Sequence, residues 1–303
     1  MRNIDMLGRR PTWAEIDLNA LAHNFREVRS AAGRGVMIMV VVKANAYGHG
    51  AIECARRLAA EGADWLAVAL PEEGITLREA GIHFAQPILV LGGFWEGQAE
   101  LCIKHNLVPV IYRMEMAWAL DRAARTAGVV ACAHVKVDTG MGRLGVRFDE
   151  INEFAEALGS LKHIRVEGLL THFASADEIE RNDFTAEQTA RFHEAKNAFS
   201  CRGIEIKFEY LSNSAGTFAH PEARGNIVRP GGVLYGLWRD VLPPLEAGPD
   251  LQPVMSLRTR IALLKRVPAG ETLGHGPRFY DNPRNAHRDA ANRLQRRLPT
   301  SSV

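Results

Sequence analysis

Residues Val36 to Gly50 read VMIMVVVKANAYGHG, and this stretch decides the fold. Seven apolar residues, Val36 to Val42, run straight into Lys43. A continuous apolar run of that length, rich in valine, predicts a strand buried on both faces of a parallel sheet. Two readings stand for a lysine at its carboxyl end. It can snorkel to solvent along its aliphatic stem. Or it is held in a site, where burial disfavours its charged form and leaves an amine fit for Schiff-base chemistry. Tyr47 adds a hydroxyl four residues on, and Gly48 and Gly50 let backbone approach a ligand.

Outward from this stretch the pattern alternates. Strands are predicted at 37–43, 65–69, 87–91, 108–111, 132–138, 166–172, 207–211 and 226–229. Amphipathic helices are predicted between them at 51–60, 72–80, 97–105, 114–126, 148–158 and 186–201, with a short connection at 215–223. Upstream, Pro11 to Leu18 alternates as a lone strand. Asn19 is expected to cap the next helix, with Leu21, Phe25 and Val28 on its apolar face. Eight strands with intervening helices predict an α/β fold, a (β/α)8 barrel of the TIM type. The division expected is a barrel at 12–240, the beginning of an incomplete C-terminal β domain at 241–279, and an aberrant or disordered tail at 280–303.

Composition narrows the function. The chain has 303 residues, 47% apolar and 24% charged, enough for a large core in an ordinary globular protein. A formal net charge of +2 gives no electrostatic case for nucleic acid or a membrane surface. Cys54, Cys102, Cys132 and Cys201 are scattered without a CxxC pair, so neither a metal site nor a disulfide framework is expected and a reducing cytoplasm fits. No run has signal-peptide or membrane-spanning character.

Barrels of this kind gather their chemistry at the carboxyl ends of the strands, with phosphate often held beyond the last two. The unusual residues fall there. Lys43 ends the first strand. Lys136, Asp138 and Arg143, in VKVDTGMGRLG, end the fifth and enter its loop. His172 ends the sixth, Asn213 and Ser214 follow the seventh, and Arg229, Gly231 and Gly232 end the eighth. Ser214 at a helix start and the N–H groups of Gly231 and Gly232 suit a phosphate, although Asn-Ser and Gly-Gly are also common turn pairs. Arg229 only donates hydrogen bonds, so facing a pyridine nitrogen it would keep that nitrogen unprotonated; otherwise it pairs with a carboxylate. Arg143 could reach a phenolic oxygen or a substrate carboxylate. Lys136, beside these cations, would need neutralising or modifying. His172 could stack on a ring, hydrogen-bond Arg229, or be a satisfied core histidine.

Eight segments, PTWAEIDLNAL, VVKANAYGHG, GADWLAVALPEEGITLREAGI, PILVLGG, KVDTGMGRLG, THFASADE, SNSAG and VRPGGVLYGL, resemble the alanine racemase family from Pro11 to about Pro277. The resemblance implies pyridoxal 5′-phosphate as cofactor and two-base racemisation of L- and D-alanine, supplying D-alanine for peptidoglycan. It implies that Lys43 carries the cofactor covalently and acts as one base. Tyr47, Asn213, Ser214, Gly231 and Gly232 would line the phosphate side, His172 the ring face and Arg229 the pyridine nitrogen. Arg143 would contact the substrate carboxylate, and Lys136 matches a carbamylated lysine. A homodimer with shared sites is also implied. The second base in the family is a tyrosine, whereas the matching stretch ETLGHGPRF carries His275.

After about Phe279 the resemblance stops. The tail YDNPRNAHRDAANRLQRRLPTSSV is basic, polar and poor in strand formers. A frameshift is expected, because one permitted choice of codons lets the adjacent frame spell a GYNDGYPR-like continuation; the activity of such a chain would be impaired. The other readings are a non-catalytic pyridoxal-phosphate-binding barrel and a racemase of another amino acid such as serine.

Overall fold

The computed structural model describes residues 11–280, apart from positions 240, 246, 247, 266, 269, 274, 277 and 278. The chain divides into two units, one running from Ile16 to Met255 and the other joining the chain before Ile16 to the chain from Ser256.

The larger unit is the barrel. Its strands are β2 (Met37–Val41), β3 (Trp65–Val68), β4 (Ile88–Val90), β5 (Val108–Ile111), β6 (Ala131–Asp138), β8 (Ile164–Leu170), β9 (Phe208–Tyr210) and β10 (Ile227–Val228), all in parallel register. β10 pairs with β2 through Ile227 opposite Met37. The circle closes where Asn226 N donates to Glu209 O (2.9 Å) and Arg229 N to Ser212 O (3.0 Å). A further two-residue strand, β7 (Val146–Arg147), lies beside the end of β6. It was not expected from the sequence, where VRF is too short to carry a period.

Alternation along each strand sorts side chains between the two faces of the wall. Met39, Val41, Trp65, Ala67, Leu89, Val110, Leu170, Tyr210 and Ile227 fill the interior. Ile38, Val40, Leu66, Val68, Ile88, Val90 and Ile111 face the outer helices. His134 also sits fully inside, hydrogen-bonded through Nδ1 to the Tyr210 hydroxyl, and burial drives its pKa down to about 3. A bulge between Ala133 and His134 and the bare Cα of Gly168 make room for its ring.

The helices span Leu18–Ala32, Ala51–Ala60, Pro71–Glu79, Ala99–Lys104, Met114–Ala127, Ile151–Gly159, Asn182–Ser200 and Ser214–Ala219. The first corrects the capping expectation. Asp17, not Asn19, is the cap: its carboxylate accepts from Asn19 N (2.8 Å) and Ala20 N (3.1 Å). Leu21, Phe25 and Val28 are its buried stripe, as the spacing predicts. Among the described residues no helix is long and apolar enough to cross a membrane.

In the smaller unit, β1 (Thr12–Ile16) pairs with β11 (Met255–Thr259), so the strand read as lone has a partner. Thr12 Oγ1 meets Thr259 Oγ1 at 3.0 Å, and Arg258 Nε donates to Glu15 Oε2 at 3.1 Å. MSLRT is weakly apolar and exposed throughout, which is why the pattern did not announce it. A two-residue antiparallel hairpin comes after it, β12 (Thr272–Leu273) with β13 (Phe279–Tyr280). The tail expected to be aberrant lies, from 281 onward, outside the described residues.

Candidate active site

β2 ends two residues before Lys43, contrary to the expectation that the lysine closes the strand. The backbone then enters a left-handed turn. Ala44, Asn45, Ala46 and Tyr47 all have φ between +51° and +54°. Such backbone costs an L-residue roughly 1–2 kcal/mol, asparagine less. Four in succession therefore store several kcal/mol, a sizeable share of a domain's net stability, and persist only where contacts over-determine them. The contacts are present. Ala46 N donates to Val42 O (2.9 Å) and Gly48 N to Ala44 O (3.1 Å). Asn45 Oδ1 accepts from Ala51 N (2.9 Å), starting the next helix, and the buried His49 ring meets Ala46 O and Tyr47 O at 3.0 Å. Tyr235 packs against both the Tyr47 and His49 rings and donates its hydroxyl to Val41 O (2.9 Å).

The turn sets Lys43 among cations. Its Nζ lies 6.0 Å from the Tyr47 ring centroid. Burial, then Arg143 and Arg229, lower its pKa, while Glu73 acts the other way. Lys136, on β6, is only 7% exposed. Burial first, with Arg229, Arg143 and Lys43 adding to it against Asp138, brings its pKa down to about 7. Arg229, 4% exposed, comes directly after β10. Its Nη2 donates to Thr171 O (2.6 Å) and Leu211 O (3.1 Å), fixing the guanidinium between β8 and β9. Burial lowers its pKa to about 10, so it stays charged at neutrality. Its Nη1 donates to His172 Nδ1 (3.2 Å). A guanidinium has no acceptor, so His172 Nδ1 accepts and the ring carries its proton on Nε2. Burial and then Arg229 hold the His172 pKa well below its usual value, which keeps the ring neutral.

On the other side of the rim, Tyr47 and Ser214 meet at Gly231. Gly231 N donates to the buried Ser214 Oγ (3.0 Å). A Cβ at Gly231 would lie 2.5 Å from Tyr47 Oη, so the phenol occupies the space any side chain there would need. Gly232 begins a short 3-10 turn, Gly232–Tyr235, which ends at Gly236 with φ +80°. Asn213 uses its side-chain oxygen for structure: it accepts from Gly216 N (2.9 Å) and caps the helix that Ser214 opens. Asp138 is spent likewise, its Oδ1 taking Gly140 N (3.0 Å) and Gly142 N (3.1 Å) to shape the loop that carries the exposed Arg143. His275 belongs to the smaller unit, an exposed residue in a bend.

Two contributors were not singled out in the sequence. Gln188, buried on the helix Asn182–Ser200, donates to Thr139 Oγ1 (3.1 Å) and His172 O (3.1 Å) and accepts from Ala174 N (3.0 Å). It ties the loop after β6 to the loop after β8. Glu73 accepts from Ala44 N at 2.6 Å, inside the strained turn. Neither has a local sequence signal: both read as polar positions of amphipathic helices.

Known proteins resemble the chain over most of its length. A family described as "Alanine racemase, N-terminal domain" matches residues 16–238. An alanine racemase of Halothermothrix orenii is 45% identical over 275 residues, covering 90% of this chain and 71% of that one. One from Geobacter sulfurreducens is 42% identical over 274 residues, covering 89% and 70%. Among solved structures, an alanine racemase of Clostridium difficile 630 in complex with cycloserine superposes with TM-score 0.80 at 37% identity, covering 84% of this chain and 70% of that one. The enzyme of Bacillus anthracis with bound L-Ala-P gives TM-score 0.78 at 32% identity, covering 90% and 70%.

Proposed function

The chain belongs to the alanine racemase family, and on that premise we propose how its own residues divide the work of racemisation. The reaction is the interconversion of L- and D-alanine with pyridoxal phosphate. Chain and cofactor fit each other. The rim offers buried cations and a bare Cα at Gly231, and Arg229 Nε is buried without a hydrogen-bond partner among the described residues. An anionic aromatic ligand answers both features. When bound, pyridoxal phosphate supplies an electron-withdrawing ring that stabilises the charge left at Cα after proton removal.

Lys43 holds the cofactor through Nζ and moves the Cα proton on one face. Its lowered pKa, caused chiefly by burial, raises the fraction of free amine available for both tasks. Ser214 accepts from Gly231 N, which leaves its own O–H to donate to a phosphate oxygen, beside the hydroxyl of Tyr47 and the N–H of Gly232. Arg229, always a donor, would face the ring nitrogen and keep it unprotonated. His172 orients Arg229 and would border the ring. Asn213 caps the helix of Ser214 through its side-chain oxygen, which leaves its amide N–H groups to donate on the phosphate side. Arg143, exposed at the rim, takes the substrate carboxylate. Lys136, with a pKa near 7, presents free amine that can add carbon dioxide; the resulting carbamate would turn a buried cation into an anion beside Arg143.

Racemisation needs a second acid/base group on the opposite face. We assign it to His275, supplied by a second copy of the chain in a homodimer. Its imidazole can both accept and donate a proton, and it is exposed. The free thiols Cys54, Cys102, Cys132 and Cys201 suit the cytoplasm, where D-alanine would feed peptidoglycan synthesis.

The observation that carries this reading is Lys43, held by a strained turn amid Arg143, Arg229 and Lys136. The test is borohydride trapping of pyridoxal phosphate with subsequent peptide mapping, and exchange of the alanine α-proton monitored by NMR in D2O. Adduct on Lys43 and exchange are expected. An adduct elsewhere refutes the assignment of Lys43, and an adduct on Lys43 without exchange makes the chain a cofactor-binding barrel without racemase function.

A further inference from the structure

We propose that Glu73 is a positioning residue for Lys43: one carboxylate pins the first amide of the left-handed turn and supplies the negative charge that faces the lysine. The inference rests on the reading of Lys43 as the cofactor-bearing residue. Glu73 Oε1 accepts from Ala44 N at 2.6 Å, 29 residues away in sequence. Glu73 Oε2 accepts from Ala69 N (2.6 Å) and Leu70 N (3.2 Å), the two residues after β3. Three backbone donors from two barrel loops thus converge on one side chain.

Helix capping alone does not explain this. The helix Pro71–Glu79 needs an acceptor only at its own start, which Oε2 provides. Oε1 instead reaches across to the loop after β2, to the residue adjoining Lys43. The bond matters because Ala44 has φ +51° and every intrinsic preference of alanine opposes that conformation. A charge-assisted hydrogen bond is among the stronger local restraints available to hold it.

The electrostatic part comes from the company Lys43 keeps. The ionisable groups facing its amine are Arg143, Arg229 and Lys136, all cationic when protonated, and Glu73. The Tyr47 ring borders it as well. Glu73 forms no salt bridge among the described residues, so no neighbouring cation neutralises it at contact range. Its charge opposes the combined push of burial, Arg143 and Arg229 on the Lys43 amine and favours the protonated form. A proton-transfer group needs both forms within reach of the working pH.

The experiment uses the full chain freed of cofactor. Lys43 is acylated with acetic anhydride over a pH series and the fraction labelled is read by peptide mass spectrometry. Amide exchange of peptides containing Ala44 is measured alongside, with a peptide from the helix Asn182–Ser200 as the global control. In Glu73→Gln, which keeps the shape and loses the charge, the labelling midpoint moves to lower pH, and Ala44 exchanges on the order of tenfold faster while the control is unchanged. In Glu73→Asp, which keeps the charge but cannot span both loops, Ala44 exchange rises and the midpoint stays near that of the parent. An unchanged midpoint in Glu73→Gln overturns the electrostatic role. In the parent itself, an Ala44 amide that exchanges as fast as unbonded exposed backbone overturns the contact without need of any variant. Trapping of pyridoxal phosphate on Lys43 of the parent reports separately on the functional reading. Its failure there refutes that reading, whereas successful trapping with an unshifted Glu73→Gln profile refutes this inference alone.

Discussion

Replacing Gly231 by alanine places a methyl carbon 2.5 Å from Tyr47 Oη and 3.3 Å from Tyr47 Cζ. Ordinary contact begins near 3.4 Å, so the hydroxyl must retreat by roughly 0.9 Å, against a ring held by Tyr235. Overpacking of this kind costs about 1–3 kcal/mol. Tyr47→Phe removes the clashing oxygen and leaves the ring carbon at 3.3 Å as the nearest atom, a contact a small ring tilt relieves. The double variant should therefore recover most of the loss, a coupling of about 1–2 kcal/mol. Any backbone cost of alanine at φ −123° and ψ −94° enters both alanine chains and cancels in the cycle. Urea unfolding of the parent, both single variants and the double variant, all without cofactor, measures the coupling. Additivity within about 0.5 kcal/mol would mean that Tyr47 and Gly231 do not compete for one space, and the reconstruction of the rim would fail.

Three further outcomes are expected. Ala44→Gly should leave stability unchanged or raise it by up to about 1 kcal/mol, since relief of the positive φ offsets the entropy glycine adds to the unfolded chain; Ala59→Gly, in a regular helix, should lower it by about 1 kcal/mol, and equal signs in thermal melts would deny the strain. Lys136 has a folded pKa near 7, below its unfolded value near 10.4, so the unfolded chain binds more protons between those limits. Its penalty on stability is fully present below about pH 7 and fades as pH rises, at up to roughly 1.4 kcal/mol per unit. In buffer free of carbon dioxide, the urea midpoint should climb from pH 7 to pH 9, and Lys136→Met should flatten that climb. Tyr235→Phe should cost about 1 kcal/mol by leaving Val41 O without its side-chain donor, read by chemical denaturation.

The barrel was legible because its signals are local. Runs such as Val36–Val42 bury on two faces, the connecting helices carry plain apolar stripes, and each of the eight barrel strands falls within two residues of its expected bounds. The places of Lys43, Lys136, His172 and Arg229 near strand ends came from the same periods. The left-handed turn was not legible. KANAY contains two alanines, the best right-handed helix formers, and only Asn45 tolerates positive φ. The turn is imposed by the neighbouring His49 together with Glu73, 29 residues from Ala44, and Tyr235, whose bond to Val41 spans 194 residues. The task of Asp138 was not legible either: the pattern places it at a strand end but does not show that its oxygen is committed to the amides of Gly140 and Gly142.

The turn at Ala44–Tyr47 has one more consequence, which concerns chirality. Its φ and ψ angles, near +51° and +51° at Ala44 and +54° and +51° at Ala46, are the mirror image of ordinary helical values. For a D-amino acid those angles are the relaxed state. A chain assembled by chemical ligation with D-alanine at positions 44 and 46 would hold the same backbone without steric opposition. The product of this family's reaction is thus the residue whose own stereochemistry suits the segment beside Lys43.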